Sequence, residues 1–229
     1  MYNLDKKLDD LLYKIVNMQG AIFMLLTDKE IRKLCDVNEK DAETKSLIYP
    51  FSEEYLQSEG YDLAIGEEYA IANKNVGVID LENENLVNNS YIPKVLTEEG
   101  YIISPKEYVL VSLKERINLP EYLNAHIRPR TKFTRLGLIL SAQNCNSTYS
   151  GVLRLGLFNA TNFSIKITPG LRIGQVFFEE LKGIPSKEKL YKNLPNSSYQ
   201  NETEFRGPRF SNEVKAEARK LLDAILGKE

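Results

Sequence analysis

Histidine occurs once in this chain of 229 residues, at His126, and cysteine twice, at Cys35 and Cys145. Two cysteines are too few for a disulfide framework and fit a reducing compartment, so a cytoplasmic location is expected. No spacing of Cys, His or paired carboxylates makes a zinc site, and no Gly-rich phosphate loop of the Walker type is present. The single histidine leaves a Ser-His-Asp triad open by count alone. No nucleophile elbow accompanies it, and His126 reads as a structural or surface residue. Long apolar runs are missing as well. The longest near the start, "AIFMLL" at 21–26, is too short to span a bilayer, and its upstream flank is amphipathic rather than signal-like. Charge of one sign is not in excess either: 30 Lys and Arg face 32 Asp and Glu, for a net charge of −2. That balance points neither to a nucleic-acid polymer nor to an anionic membrane. No internal repeat is visible. The expectation is a soluble intracellular protein with no metal site of its own.

What is present is a chain long enough to bury a sizeable core. Residues 4–17 put Leu4, Leu8, Leu11, Leu12 and Ile15 on one helical face, with Asp and Lys opposite. Thr27 followed by Glu30 is a capping box, which opens a short helix carrying Ile31 and Leu34. From about 47 to 182 the texture changes to short runs of Ile, Val, Leu and Tyr separated by Gly, Pro and Asn. "YDLAIG", "EYAIA", "VGVIDL", "EYVLVSL", "LGLIL", "GVLRLGLF" and "FSIKIT" read as strands, and the Pro-Gly at 169–170 as a turn. Many short strands without long helices between them predict a mainly β fold, a sandwich or a jelly-roll-like barrel. A polar stretch, 183–210, follows as an arm or tail. The chain closes on an amphipathic helix at 212–226 with Val214, Leu221, Leu222 and Ile225 on one side. The domain reading is an N-terminal helical extension at 1–23, a β domain at 24–182, the arm at 183–210 and the C-terminal helix at 211–229.

Two stretches carry chemistry. In "RPRTKFTRLG", Arg128, Arg130, Lys132 and Arg135 fall within eight residues beside Thr131 and lead directly into an apolar strand. Such cations on a rigid scaffold suit an anionic ligand, and phosphate is the natural choice. In "SAQNCNSTYSGVLRLGLFNA", 141–160, a polar corner and a Tyr-Ser-Gly turn open onto a strand of alternating apolar residues. Corners of this kind hold small polar ligands well, but this one contains no acid and no histidine.

In their order along the chain these motifs resemble the dCTP deaminase and trimeric dUTPase superfamily, from about Met24 to Ser211. "MLLTDKEIRKL" resembles the deaminase opening strand and helix, and "LQSEGYDLAIG" the segment on its first long strand. "YIISPKEYVLVSLKERINLPEYL" is similar to the stretch in which a strand precedes a Leu-Pro turn. "RPRTKFTRLGL" resembles the phosphate-contacting motif, and "YSGVLRLGLFN" with "ITPGLRIGQVFFEEL" the nucleoside hairpin and the strand pair after it. "SYQNETEFRGP" is similar to the tail that closes over the triphosphate. The resemblance implies a dUTPase-like distorted β-barrel with short helices, flanked here by the terminal amphipathic helices. It also implies a homotrimer of C3 symmetry with sites between subunits.

The resemblance assigns residues one by one. Thr131 stands where the family has a phosphate-binding serine, and its hydroxyl can still donate. Arg130 and Arg135 match the two arginines of the motif, which would neutralise and orient phosphates. Lys132 replaces a second serine and adds charge. Tyr149 matches the aromatic that packs on the sugar, and Gln175 the glutamine of the phosphate-side strand. Tyr191, Tyr199, Gln200 and Arg206 fall in the arm and tail over the phosphates, with "NETE" reading as an insertion. Mg²⁺ would arrive with the triphosphate.

Two departures stand out. A dCTP deaminase needs a glutamate on the strand after the turn, to activate the water attacking C4; that position is Gly156. A dUTPase uses an aspartate three residues before the aromatic, and that position is Asn146, an amide that accepts no proton at neutral pH. Phosphate and sugar contacts are separable from proton transfer. The favoured reading is therefore a trimer that binds a pyrimidine deoxynucleoside triphosphate with impaired catalysis, as a sensor, regulator or scaffold. The alternative is an active hydrolase, a dCTP deaminase or dUTP diphosphatase, with its base supplied from elsewhere. The terminal helices would cover the barrel or meet a protein partner.

Overall fold

In the computed structural model, which describes residues 24–195, 197–210, 221, 225 and 226, the apolar runs in the middle of the chain become strands. The amphipathic stretch read at 4–17 lies outside the described residues, as does that at 212–226 except for Leu221, Ile225 and Leu226. The chain opens with β1 (Met24–Leu25), α1 (Asp28–Cys35), α2 (Ala42–Lys45), β2 (Ile48–Tyr49), β3 (Leu56–Gln57) and the long β4 (Gly60–Ala72). It continues through α3 (Glu84–Asn88), β5 (Tyr91–Val95), β6 (Tyr101–Ile103), β7 (Tyr108–Asn118), β8 (Leu123–Pro129) and α4 (Thr131–Leu136). The last strands are β9 (Leu138–Leu140), β10 (Gln143–Cys145), β11 (Ser150–Asn159), β12 (Ile165–Ile167) and β13 (Arg172–Glu180). The capping box forms as read: the Thr27 N–H donates to Glu30 Oε2 at 2.9 Å and starts α1, whose Ile31 is fully buried.

The main sheet runs β10-β8-β13-β4-β7-β11-β9, with β1 on β13, β2 on β7, and β3 and β5 on β4; β6 and β12 form a separate pair. Strand β4 joins the two halves of this sheet. It pairs with β13 through Tyr61 to Ala64 and with β7 from Ile65 to Ile71, slipping register between Ile65 and Tyr69. A strand that bends from one layer into another does so at such an irregularity. Gly66 makes the bend fit: a Cβ there would lie 2.7 Å from both the Leu113 carbonyl oxygen and the Ser112 hydroxyl. The curled sheet encloses one core, in which Leu63, Ile65, Val111, Leu113, Ile127, Leu155, Leu157, Val176 and Phe178 are buried. The mainly β, distorted barrel with short helices is therefore observed.

Two expectations require correction. "YDLAIG" and "EYAIA" are halves of one strand, because Gly66 continues the chain instead of interrupting it. "VGVIDL" is not a strand at all, but a loop in which Val78, Ile79 and Leu81 are exposed. Its local chemistry favours turning: Gly77 takes φ +22, and Asp80 Oδ1 accepts from the Glu82 N–H at 3.0 Å. The Asn83 side chain then caps α3 through the Asn85 and Leu86 N–H groups.

Candidate functional site

The corner between β10 and β11 is a tight turn in which the Tyr149 N–H donates to the Asn146 carbonyl at 3.0 Å and Thr148 takes φ 69. Beside it lies a cavity of about 390 Å³. The hairpin contributes Gln143 to Asn146, Tyr149, Leu153 and Arg154 to its wall, and β7 contributes Leu110. Tyr191, Tyr199, Glu202 and Pro208 of the polar arm complete the lining.

The arm is held on the corner by side chains and backbone together. Gln200 grips both sides of the turn, its Nε2 donating to the Thr148 carbonyl at 3.1 Å and its Oε1 accepting from the Ser150 N–H at 3.3 Å. The Asn201 N–H donates to the Ser150 carbonyl at 2.7 Å and the Val152 N–H to the Glu202 carbonyl at 2.8 Å, a short parallel bridge. Buried Arg116 extends the link, donating to Ser150 Oγ at 2.8 Å and to Asn201 Oδ1 at 3.0 Å. The rings of Tyr149 and Tyr191 meet at 5.7 Å, and the Tyr191 hydroxyl accepts from the Tyr199 N–H. Arg206 turns back into the arm, donating to the Ser198 carbonyl at 3.2 Å.

Inside the cavity the dominant charge is Arg154, whose side chain is 7% exposed. Its Nη2 lies 2.7 Å from Glu68 Oε2, and its Nε is 3.8 Å from Oε1 of the buried Glu202. Burial pushes the Glu202 carboxyl above its ordinary value, while Arg154 draws it back down. The Tyr149 phenol is also pushed up, first by burial, and its hydroxyl has no hydrogen-bond partner among the described residues. Cys145 is buried and raised to about 12, which leaves it an unreactive thiol. Sequence reasoning passed over both Arg154 and Glu202. The visible signal for Arg154 is a charge inside an alternating apolar strand. For Glu202 there is none beyond the acidic "NETE".

The two positions where the resemblance expects acids differ in setting. Asn146 is exposed, its Oδ1 accepting from Asn144 Nδ2 at 3.0 Å. Gly156 is buried, and its N–H donates to Ser141 Oγ at 2.8 Å. A Cβ at 156 would sit 2.7 Å from Cε2 of Tyr108 and closer still to its hydroxyl. Tyr108 reaches it diagonally across the β7–β11 pair, in which Gly156 faces Leu110 and Phe158 faces Tyr108.

A second group of residues gathers around Asp62, which is 2% exposed on β4. Arg130 Nη2 lies 3.3 Å and Arg172 Nη1 3.7 Å from Asp62 Oδ2, distances of ion pairs without aligned hydrogen bonds. Burial raises the Asp62 carboxyl, and Arg130, Arg172 and Lys132 oppose the rise. Gln175 faces both Asp62 and Arg128 in the sheet register, so the sheet itself brings it to this cluster. Thr131, Lys132 and Arg135 lie exposed on α4, the lysine ammonium 5.1 Å from the Phe133 ring centroid. Arg172 was not read from the sequence, since it stands alone there and reaches the cluster only through the β13–β4 pairing. None of Arg130, Thr131, Lys132, Arg135 or Gln175 lines the cavity, so one chain carries the candidate residues as two separate groups. His126 stands apart from both, 3.3 Å from Glu179.

Among the described residues, no three His, Cys, Asp or Glu side chains are grouped to hold a metal ion, and no helix is long and apolar enough to cross a membrane. Comparison with known proteins gives a consistent relationship. The family model for dCTP deaminase-like proteins matches residues 25–181. A "dCTP deaminase, dUMP-forming" of Sulfurihydrogenibium sp. (strain YO3AOP1) is 35% identical over 170 residues, covering 74% of this chain and 89% of that protein. Another of the same name, from Nanoarchaeum equitans, is 34% identical over 192 residues, covering 77% of this chain and 92% of its own length. Among solved structures, the 2'-deoxycytidine 5'-triphosphate deaminase from Agrobacterium tumefaciens aligns with a TM-score of 0.53 at 19% identity. That alignment covers 69% of this chain and 48% of the other, and it shows a shared fold. With the family model spanning most of the β domain and relatives this similar over most of their length, the chain belongs to the dCTP deaminase-like family.

Proposed function

We propose that this chain binds a pyrimidine deoxynucleoside triphosphate as a homotrimer and turns it over poorly or not at all. The nucleotide class follows from relatives named dCTP deaminase, and from a cavity whose wall carries Tyr149 and the arm tyrosines. The trimer accounts for the division of the candidate residues. The cations Arg130, Lys132 and Arg135 share no lining residue with the cavity, so a neighbouring copy would bring them to it. These cations would orient the phosphates, with Mg²⁺ carried in on the triphosphate.

The observation that carries the impaired reading is at Gly156. Deamination at C4 needs a group that takes a proton from water and returns it to the departing ammonia. At 156 there is no side chain, and the space a carboxylate would fill is occupied by the Tyr108 phenol. Asn146 offers only an amide, so the route that begins with water attacking phosphorus also lacks its base. A second reading, an active enzyme, draws on one specific feature: Glu202 is the only carboxylate lining the cavity among the described residues.

Incubation with dCTP and dUTP plus Mg²⁺, assayed for uracil nucleotides and pyrophosphate, separates the two readings. The expected result is calorimetrically detectable nucleotide binding without turnover. Robust turnover that disappears in Arg135→Ala overturns the impaired reading, and its loss in Glu202→Gln would assign the base to the arm. Failure to bind any deoxynucleotide removes the ligand reading altogether.

A further inference from the structure

The cavity wall holds two buried polar atoms without a hydrogen-bond partner among the described residues, Tyr149 Oη and Arg154 Nε. Native interiors rarely leave such groups unsatisfied, so each calls for an explanation. Arg154 is not a loose side chain. Its Nη1 donates to the Val152 carbonyl at 3.0 Å, and its Nη2 donates to Glu68 Oε2 at 2.7 Å and to the Thr203 carbonyl at 3.2 Å. Those bonds fix the guanidinium plane and therefore the direction of the remaining Nε–H. Glu202 Oε1 stands 3.8 Å from that nitrogen, beyond hydrogen-bond reach but on the same wall. A rigid donor and an acceptor are thus held side by side with the donor unused.

We infer that Arg154 is the specificity-determining residue of the pocket: its Nε–H donates to an acceptor on the Watson–Crick edge of the base, while Glu202 accepts from the adjacent N–H. The inference rests on the cavity being the nucleoside pocket. A pyrimidine edge supplies the complementary pair in either of two forms. Cytosine presents N3 as the acceptor beside its exocyclic amino group, whereas uracil and thymine present O4 beside N3–H. Base selection would then be made by side chains that run from β11 to the arm. An ion pair serving only to anchor the strand to Glu68 has no need to leave the buried Nε–H at the cavity wall without a hydrogen bond.

The test is calorimetric titration of the full-length protein with dCTP, dUTP, dTTP and inorganic tripolyphosphate, each with Mg²⁺. If wild-type protein binds no nucleotide more tightly than tripolyphosphate, the nucleoside-pocket reading fails, and the role of Arg154 fails with it. If it does discriminate, Arg154→Lys keeps a charge beside Glu68 but removes the planar Nε–H donor. Nucleotide affinity should then fall roughly 10- to 100-fold, the usual weight of a hydrogen bond to a charged group, and discrimination between dCTP and the other two nucleotides should flatten. Tripolyphosphate affinity should not move. Equal losses for nucleotides and tripolyphosphate, or unchanged base preference, would make Arg154 a structural residue and overturn the inference. Glu202→Gln probes the other half of the pair and gives an answer even where the arginine variant does not fold. It should alter the preference for dCTP relative to dUTP and dTTP, whose Watson–Crick edges are the same, and an unaltered preference counts against the proposal.

Discussion

At position 156 the backbone lies under the phenol of Tyr108, and any side chain must displace that ring. Gly156→Glu alone is expected to destabilise the protein by about 1–3 kcal/mol, as overpacked interiors do. Adding Tyr108→Ala should recover part of that loss by clearing the space, and dCTP deamination should appear only in the double variant. Urea unfolding and a uracil-nucleotide assay check the two halves of this expectation. A different buried acid governs pH behaviour. Glu115 is 1% exposed, accepts the Ala64 N–H at 3.0 Å, and is raised by burial to about 7. Its folded value exceeds its unfolded one, so the native state holds the extra proton, and stability falls as pH rises from about 4.5 to about 7. The loss is on the order of 3 kcal/mol, and Glu115→Gln should flatten most of it in unfolding curves taken at pH 5 and pH 8. The raised carboxyls of Asp62 and Glu202 act in the same direction and leave a residual slope.

Elements that depend on neighbours in sequence were legible, and those that depend on distant ones were not. The capping box of α1 is a matter of Thr27 and Glu30 three residues apart, and it formed. The alternation in β11 likewise showed which residues face the core, because Leu155 and Leu157 are buried. The continuity of β4 through Gly66 was not visible, since a glycine between two strand-like runs ordinarily reads as a break. What decides it is the close approach of β7. Gly66→Ala should therefore cost about 1–3 kcal/mol even though alanine has no conformational objection to a strand, as chemical denaturation would show. "VGVIDL" fails for the opposite reason: its apolar residues have a pattern but no partner, and Gly77 and Asp80 turn the chain.

On the scale of the whole molecule, the candidate residues come together in a way that chain order does not reveal. Arg130, Lys132 and Gln175 collect around Asp62, while Asn146, Tyr149, Tyr191 and Tyr199 share the cavity. If a complete site is formed between neighbouring copies, Arg135→Ala and Tyr149→Ala should each abolish nucleotide binding in a homogeneous protein. Mixing the two after dissociation should restore it, because some interfaces in mixed trimers pair an intact cation cluster with an intact cavity. Titration of the reassembled mixture checks this; no recovery would place both groups in one site of a single chain.

By itself the sequence determined the mainly β class, the motif order that resembles the deaminases, the basic cluster before β9, and the residues standing at 146 and 156. These are matters of composition, periodicity and spacing, which act over a few residues and can be read along the chain. Only the tertiary structure decided that Tyr108 fills the space above Gly156, that Arg154 lines a cavity while its buried Nε lacks a hydrogen bond, and that Glu202 of the arm is buried beside it. Each of those facts depends on residues tens of positions apart meeting across strands or through the folded-back arm. Such contacts are fixed by register and packing, which no local pattern encodes.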